Sequence, residues 1–112
     1  MSFPNASNII LKEITSLEGV TTLPHRFGGI EFKFLRRELG HLHGNHLLDI
    51  PFPLKTKEEL IKQNRVKQHH ILPKSGWISL YINNEDDIKE AVKLLKLSYQ
   101  LAKEKYKRAK IN

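Results

Sequence analysis

The spacing of apolar residues alternates between the period of a helix and that of a strand along this chain. Residues 6 to 18 carry Ile9, Ile10, Ile14 and Leu17 as a helical stripe. Ser7 or Asn8 stands ready to cap it, and Gly19 to end it. Val20 to His25 then reads as a strand, with Gly28-Gly29 as a turn. Ile30, Phe32 and Phe34 alternate with Glu31, Lys33 and Leu35, which predicts a strand with one buried face. The chain turns near Arg36-Arg37 and runs as a strand from Glu38 to His43, before the turn pair Gly44-Asn45. The segment from His46 to Phe52 either extends the sheet or leads out of it, and Pro51 and Pro53 stop regular pairing there.

The second half repeats the alternation with a short helix and a long one. Thr56 and Glu59 have the capping-box spacing, so residues 56 to 64 predict a short helix with Leu60 and Ile61 inward and Asn64 at its end. Val66 to Leu72 reads as a strand, and residues 73 to 76 as a turn. From Trp77 to Ile82, Ile78, Leu80 and Ile82 form the core set, while Trp77, Ser79 and Tyr81 face the other way. Asn84 caps the last helix, and Glu85, Asp86 and Asp87 complement its positive end. Ile88, Val92, Leu95, Tyr99, Ala102 and Tyr106 follow at spacings of four and three, a stripe that needs a sheet or a partner to cover it. The expected fold is therefore α+β, in the order helix, three strands, helix, two strands, helix. The sheet should be mostly antiparallel, with the helices packed on one face.

Composition narrows the class. A chain of 112 residues is most simply one domain, residues 1 to 112, long enough to bury a core. Its 39% apolar and 28% charged content is that of a globular protein, and no apolar run is long enough to span a membrane. The opening Met-Ser-Phe-Pro-Asn lacks the basic and apolar regions of a signal peptide, so a cytoplasmic setting is expected. The absence of cysteine excludes disulfides and thiolate metal sites. The net charge of +7 invites a nucleic-acid reading, but residues 103 to 112 carry more than half of it. Cations there complement a helix C-terminus. A strand-tracking surface would also need stacking aromatics, and that stretch offers only Tyr106. Nucleic acid is therefore the least expected partner.

The candidate chemistry lies in the histidines, five of which fall between residues 41 and 70. On a regular strand, Arg37, Leu39, His41 and His43 would share one face, and Glu38, Gly40 and Leu42 the other. Glu38 would join the imidazoles only if Gly40 marks a bulge. Two imidazoles with an arginine would suit an anionic or enolisable ligand, with one imidazole as general base. Of His69 and His70, one at most joins the first pair. Trp77 beside them is a natural lid for a flat ring, and Tyr81 shares its face. The His-x-His pair, a third histidine and Glu38 offer a set for iron, zinc or nickel, but no resident metal or other cofactor is expected. Asp49-Ile-Pro-Phe-Pro reads as a rigid exit from the sheet. Phosphate loops, nucleophile elbows and HExxH are absent.

Three motifs together carry a resemblance. Arg37-Glu38-Leu39-Gly40-His41-Leu42-His43-Gly44, Leu48-Asp49-Ile50-Pro51-Phe52-Pro53, and His69-His70-Ile71-Leu72-Pro73-Lys74-Ser75-Gly76-Trp77, with Leu97-Ser98-Tyr99 beyond them, resemble the luciferase-domain family over roughly residues 25 to 102. The family takes its name from the luciferase of bioluminescent fungi, which adds molecular oxygen to a hydroxylated pyranone and is not known to need an organic cofactor. The C-terminal half is also similar to MmcQ/YjbR-type domains, whose element order is the one expected from periodicity.

The resemblance implies a pocket for a small aromatic or enolisable molecule, and a cofactor-independent oxygenase. His41, His43, Arg37 and Glu38 would be its reacting residues, and His69, His70, Trp77 and Tyr81 would hold the substrate. The rival expectations are a binding module without chemistry, dimeric through the Ile88–Tyr106 stripe, and then a nucleic-acid binder.

Overall fold

In the computed structural model, which describes residues 5–25, 29–69 and 71–111, the alternating segments build one six-stranded sheet and three helices. The elements are α1 (Ala6–Thr15), β1 (Val20–His25), β2 (Gly29–Phe34), β3 (Arg37–His43), β4 (Leu47–Pro51), α2 (Leu54–Lys62), β5 (Lys67–Gln68), β6 (Trp77–Tyr81) and α3 (Glu85–Ile111). Every strand pair is antiparallel, in the order β1-β2-β3-β4-β6-β5. The fold is thus the expected α+β arrangement, with β4 resolving the open reading of residues 46 to 52. Leu47 to Pro51 stays in the sheet because it pairs on both sides, with β3 and with β6. Gly28 lies outside the described residues.

The core lies between the sheet and the helices. Phe32, Leu42, Leu48, Ile50, Ile78 and Leu80 line the inner face of the sheet, against Ile10 and Ile14 of α1 and Ala91, Leu94, Leu95 and Tyr99 of α3. The long apolar stripe of α3 is covered by its own chain as far as Ala102, and Tyr106 beyond it is 41% exposed. No described helix is long and apolar enough to cross a membrane.

Several element ends differ from the sequence reading, each for a local reason. Helix α1 stops at Thr15, where the Leu17 amide closes on the Ile14 carbonyl ahead of Gly19, whose φ is +84°. Neither Ser7 nor Asn8 caps it; the Ser7 amide instead donates to Asn45 Oδ1 in the turn after β3. Helix α2 begins at Leu54, not Thr56, because Pro53 supplies the first accepting carbonyl, to Lys57. Asn64 does adopt the left-handed conformation, and the Asn84 side chain does cap α3 through the Asp87 amide. Strand β5 spans two residues only, since the chain turns away at His69, whose ring takes the next backbone amides.

One irregularity decides how the outer face is built. Lys33 pairs with Glu38 and Phe32 with Gly40, so Leu39 is an extra residue in β3. The alternation therefore slips by one. Leu39, Gly40 and Leu42 meet the helices, while Glu38 joins His41 and His43 on the outer face. A side chain has no room at Gly40: a Cβ there would stand 2.8 Å from the Asp49 carbonyl oxygen and 3.1 Å from Leu95 Cδ2. The Ser98 hydroxyl on α3 donates to the carbonyl of the extra residue, Leu39, at 2.9 Å.

The bulge makes Gly40 the most sensitive small residue of the sheet. Gly40→Ala should destabilise the chain by about 1–3 kcal/mol through overpacking, read as a lowered denaturant midpoint with unchanged slope. An unaltered midpoint would show that helix and sheet are not in tight contact there.

Candidate functional site

The outer face of the sheet carries an acid in an apolar strand. Asp49 sits between Leu48 and Ile50, and alternation turns it away from the core that they enter. It is nevertheless fully buried. An ionised carboxylate without water needs several donors, and its neighbours in the register supply them. His41 lies opposite Asp49 on β3 and Ser79 opposite it on β6. The Ser79 hydroxyl donates to Oδ1 at 2.6 Å. On Oδ2 converge His43 Nε2 at 3.0 Å, His41 Nε2 at 3.3 Å and His69 Nε2 at 3.4 Å.

The three imidazoles are held differently. His41 also meets a second carboxylate, with Nδ1 2.8 Å from Glu38 Oε2. Both of its nitrogens thus face an acid and both can donate. Burial disfavours the cation, but hydrogen bonding to Asp49 and Glu38, with their charges, outweighs it and raises the pKa of His41 from 6.5 to about 9. His41 is therefore an imidazolium at neutral pH. His69 is the reverse case. Its Nδ1 accepts from the amides of Ile71 at 3.1 Å and Leu72 at 3.0 Å, so its proton sits on Nε2, facing Asp49. His43 donates Nε2–H to Asp49, and its ring stands at 82° to that of His41 with centroids 4.9 Å apart.

The wall opposite the strands is the segment between β5 and β6. Lys57 of α2, 5% exposed, anchors it by donating from Nζ to the carbonyls of Pro73 and Ser75. The Phe52 amide donates to the Gly76 carbonyl, and a Cβ on Gly76 would collide with the Phe52 carbonyl oxygen. This close approach swings Trp77 over the cluster. Its ring lies 5.2 Å from that of His41 and 5.8 Å from that of His69.

The structure thus brings together His41, His43, Glu38, His69 and Trp77 of the expected residues. It separates two others. Arg37 falls on the helix side of the bulge, exposed beside Ala102, Lys105 and Tyr106 of α3, and cannot face the imidazoles. Tyr81 shares the outer face, but Leu47 stands between it and His43 in the register, and it is 40% exposed. His70 lies outside the described residues. Three residues that hold the site are not in the expected set: Asp49, Ser79 and Lys57. Asp49 corrects the reading of its segment as a mere exit from the sheet, and a lone acid inside Leu-Leu-Asp-Ile is the signal that marks it. The atoms of His41, His43 and Asp49 that can bind a metal lie within 4.8 Å of one another, so Asp49, not Glu38, completes the set that is able to hold an ion.

A model of the luciferase domain family matches residues 36–98. No curated protein and no solved structure gave a significant match. The matched stretch covers more than half of the chain and includes every member of the cluster, with Lys57 and Gly76. The chain belongs to the luciferase-domain family.

The His41 shift has a signed consequence for stability. The folded chain holds this proton more tightly than the unfolded chain. Stabilisation from its contacts with Glu38 and Asp49 is therefore complete below pH 6.5 and lost as pH rises through about 9. In chelator-treated protein, the His41 ring resonances should titrate near the upper value, and Glu38→Gln should lower that midpoint. A wild-type midpoint at the ordinary histidine value would refute the two-carboxylate environment.

Proposed function

From this membership and this geometry, we propose that the chain binds a small aromatic or enolisable molecule at the histidine cluster beside Trp77, and acts on it as an oxygenase. The observation that carries the reading is the placement of His41, fixed between Glu38 and Asp49 with its ring 5.2 Å from that of Trp77 and tilted 46° to it; the two carboxylates favour its cation. A flat ring stacked on Trp77 would place an acidic hydroxyl against that cation. His41 then stabilises the anion in place of Arg37. His43 is the general base, its ring oriented by the contact of Nε2 with Asp49 Oδ2.

The chemistry follows in two steps. His43 removes the proton from the enol, leaving an electron-rich anion. The electron pair of its carbon forms a bond to dioxygen, and the resulting peroxide anion recovers the proton from His43. Lys57 and Gly76 contribute by holding the segment that carries His69 and Trp77, so that the stacking face is in place before the ligand arrives.

Trp77 is the chain's single tryptophan, so intrinsic fluorescence reports this site alone. Titration with a 4-hydroxy-2-pyranone should quench it, and His41→Ala should weaken binding by about 10-fold through loss of the neighbouring positive charge. His43→Ala should slow oxygen uptake by about 100-fold or more, with a smaller effect on binding. Equal quenching of wild type and His41→Ala would remove the ligand from this cluster.

A further inference from the structure

The cluster has a second reading, carried by the distances among its atoms. Two ligand atoms about 2.1 Å from one ion stand roughly 3.0 Å apart at a right angle and about 3.4 Å apart at the tetrahedral angle. Asp49 Oδ2 is 3.0 Å from His43 Nε2 and 3.3 Å from His41 Nε2, and the ligand atoms of the three residues all lie within 4.8 Å of one another. We propose that His41 Nε2, His43 Nε2 and Asp49 Oδ2 form a binding site for one divalent first-row transition ion.

The surroundings match what such an ion requires. A metal-bound imidazole normally donates its other nitrogen to a carboxylate, which fixes the ring and raises its basicity. His41 Nδ1 does so to Glu38 at 2.8 Å. A ligating carboxylate is itself hydrogen-bonded, and Asp49 Oδ1 accepts from Ser79 at 2.6 Å. All three ligands come from the paired strands β3 and β4, which hold them in a fixed register.

His69 is excluded as a ligand by its own hydrogen bonds. Its Nδ1 lone pair is committed to the amides of Ile71 and Leu72, which leaves the proton on Nε2. It steadies Asp49 through Nε2.

Two imidazoles and one carboxylate suit iron, cobalt, nickel or zinc in the divalent state. Among the described residues three protein ligands are gathered, a number that in catalytic sites goes with a further position for water or a ligand oxygen. The ion would replace the ring protons that meet Asp49 in the metal-free chain. It would also supply the positive charge that His41 supplies in the proposed function, and an enol would lose its proton on coordination. The site rests on the ligand geometry and does not depend on the identity of any small molecule.

The test uses the full chain without an affinity tag, stripped with chelator and titrated with Co2+ alone. Visible absorption should saturate at one Co2+ per chain, and added Zn2+ should displace it and raise the melting temperature. His43→Ala should weaken Co2+ by more than about 100-fold, and Ser79→Ala by about 10-fold, as expected for a ligand and for its support. His46→Ala, outside the cluster, should change nothing. If His43→Ala does not fold, Asp49→Asn reads the same ligand set from the neighbouring strand. Absence of a saturable Co2+ band in the wild type, or an identical band in the folded ligand variants, overturns the site. Co2+ binding without pyranone binding would sink the ligand reading and leave the metal site standing.

Discussion

A carboxylate without water is the constraint around which this molecule is organised. Removing an anion from solvent costs several kcal/mol unless donors replace the lost hydration. Asp49 recovers that cost from Ser79 on β6, from His41 and His43 on β3, and from His69 in the segment after β5. The same contacts tie the centre of the sheet to the only covering segment described on its outer face. Stability and site are therefore one set of interactions. Losing a single imidazole would expose the charge of Asp49 as well as change the chemistry.

The two faces of the sheet have separate tasks. The inner face is apolar and closed by α1 and α3, which makes the strands rigid. The outer face uses that rigidity to present His41, His43 and Asp49 from adjacent, paired positions, a more exact placement than loops give. In the covering wall a buried lysine, bound to the carbonyls of Pro73 and Ser75, replaces regular pairing. The stretch matched by the family runs from the start of β3 into α3 and so contains both the presenting strands and the wall. Helix α1 and strands β1 and β2 lie outside it and serve the inner face and the sheet edge.

The element order was legible because burial imposes its period on the residues: alternation in β2 and β6, and a three-four stripe in α3. The gathering of histidines was legible because imidazole is the side chain that titrates near neutrality. Other parts depend on contacts that no local pattern carries. Asp49 precedes Pro51 and Pro53, which read as the end of pairing, yet β4 is central because β3 and β6 flank it. Strand β5 is cut short by the hydrogen bonds of the His69 side chain, not by a breaking residue. Lys57 looks like any helix-surface lysine until the Pro73 and Ser75 carbonyls meet it. Whether Glu38 or Arg37 joins the imidazoles turns on a bulge at Gly40, which the residues permit but do not require.

That bulge has a consequence for how sites in this fold can diverge. Because the side-chain period of a strand is two, the single extra residue selects which member of the Arg37-Glu38 pair meets His41. Removing it would exchange a carboxylate for a guanidinium and reverse the local field without altering any reacting residue. The sign of the charge beside the imidazoles is therefore encoded in strand length rather than in side-chain identity. A relative with the same motif but a regular β3 would present an anion-repelling or anion-attracting site according to a count of residues.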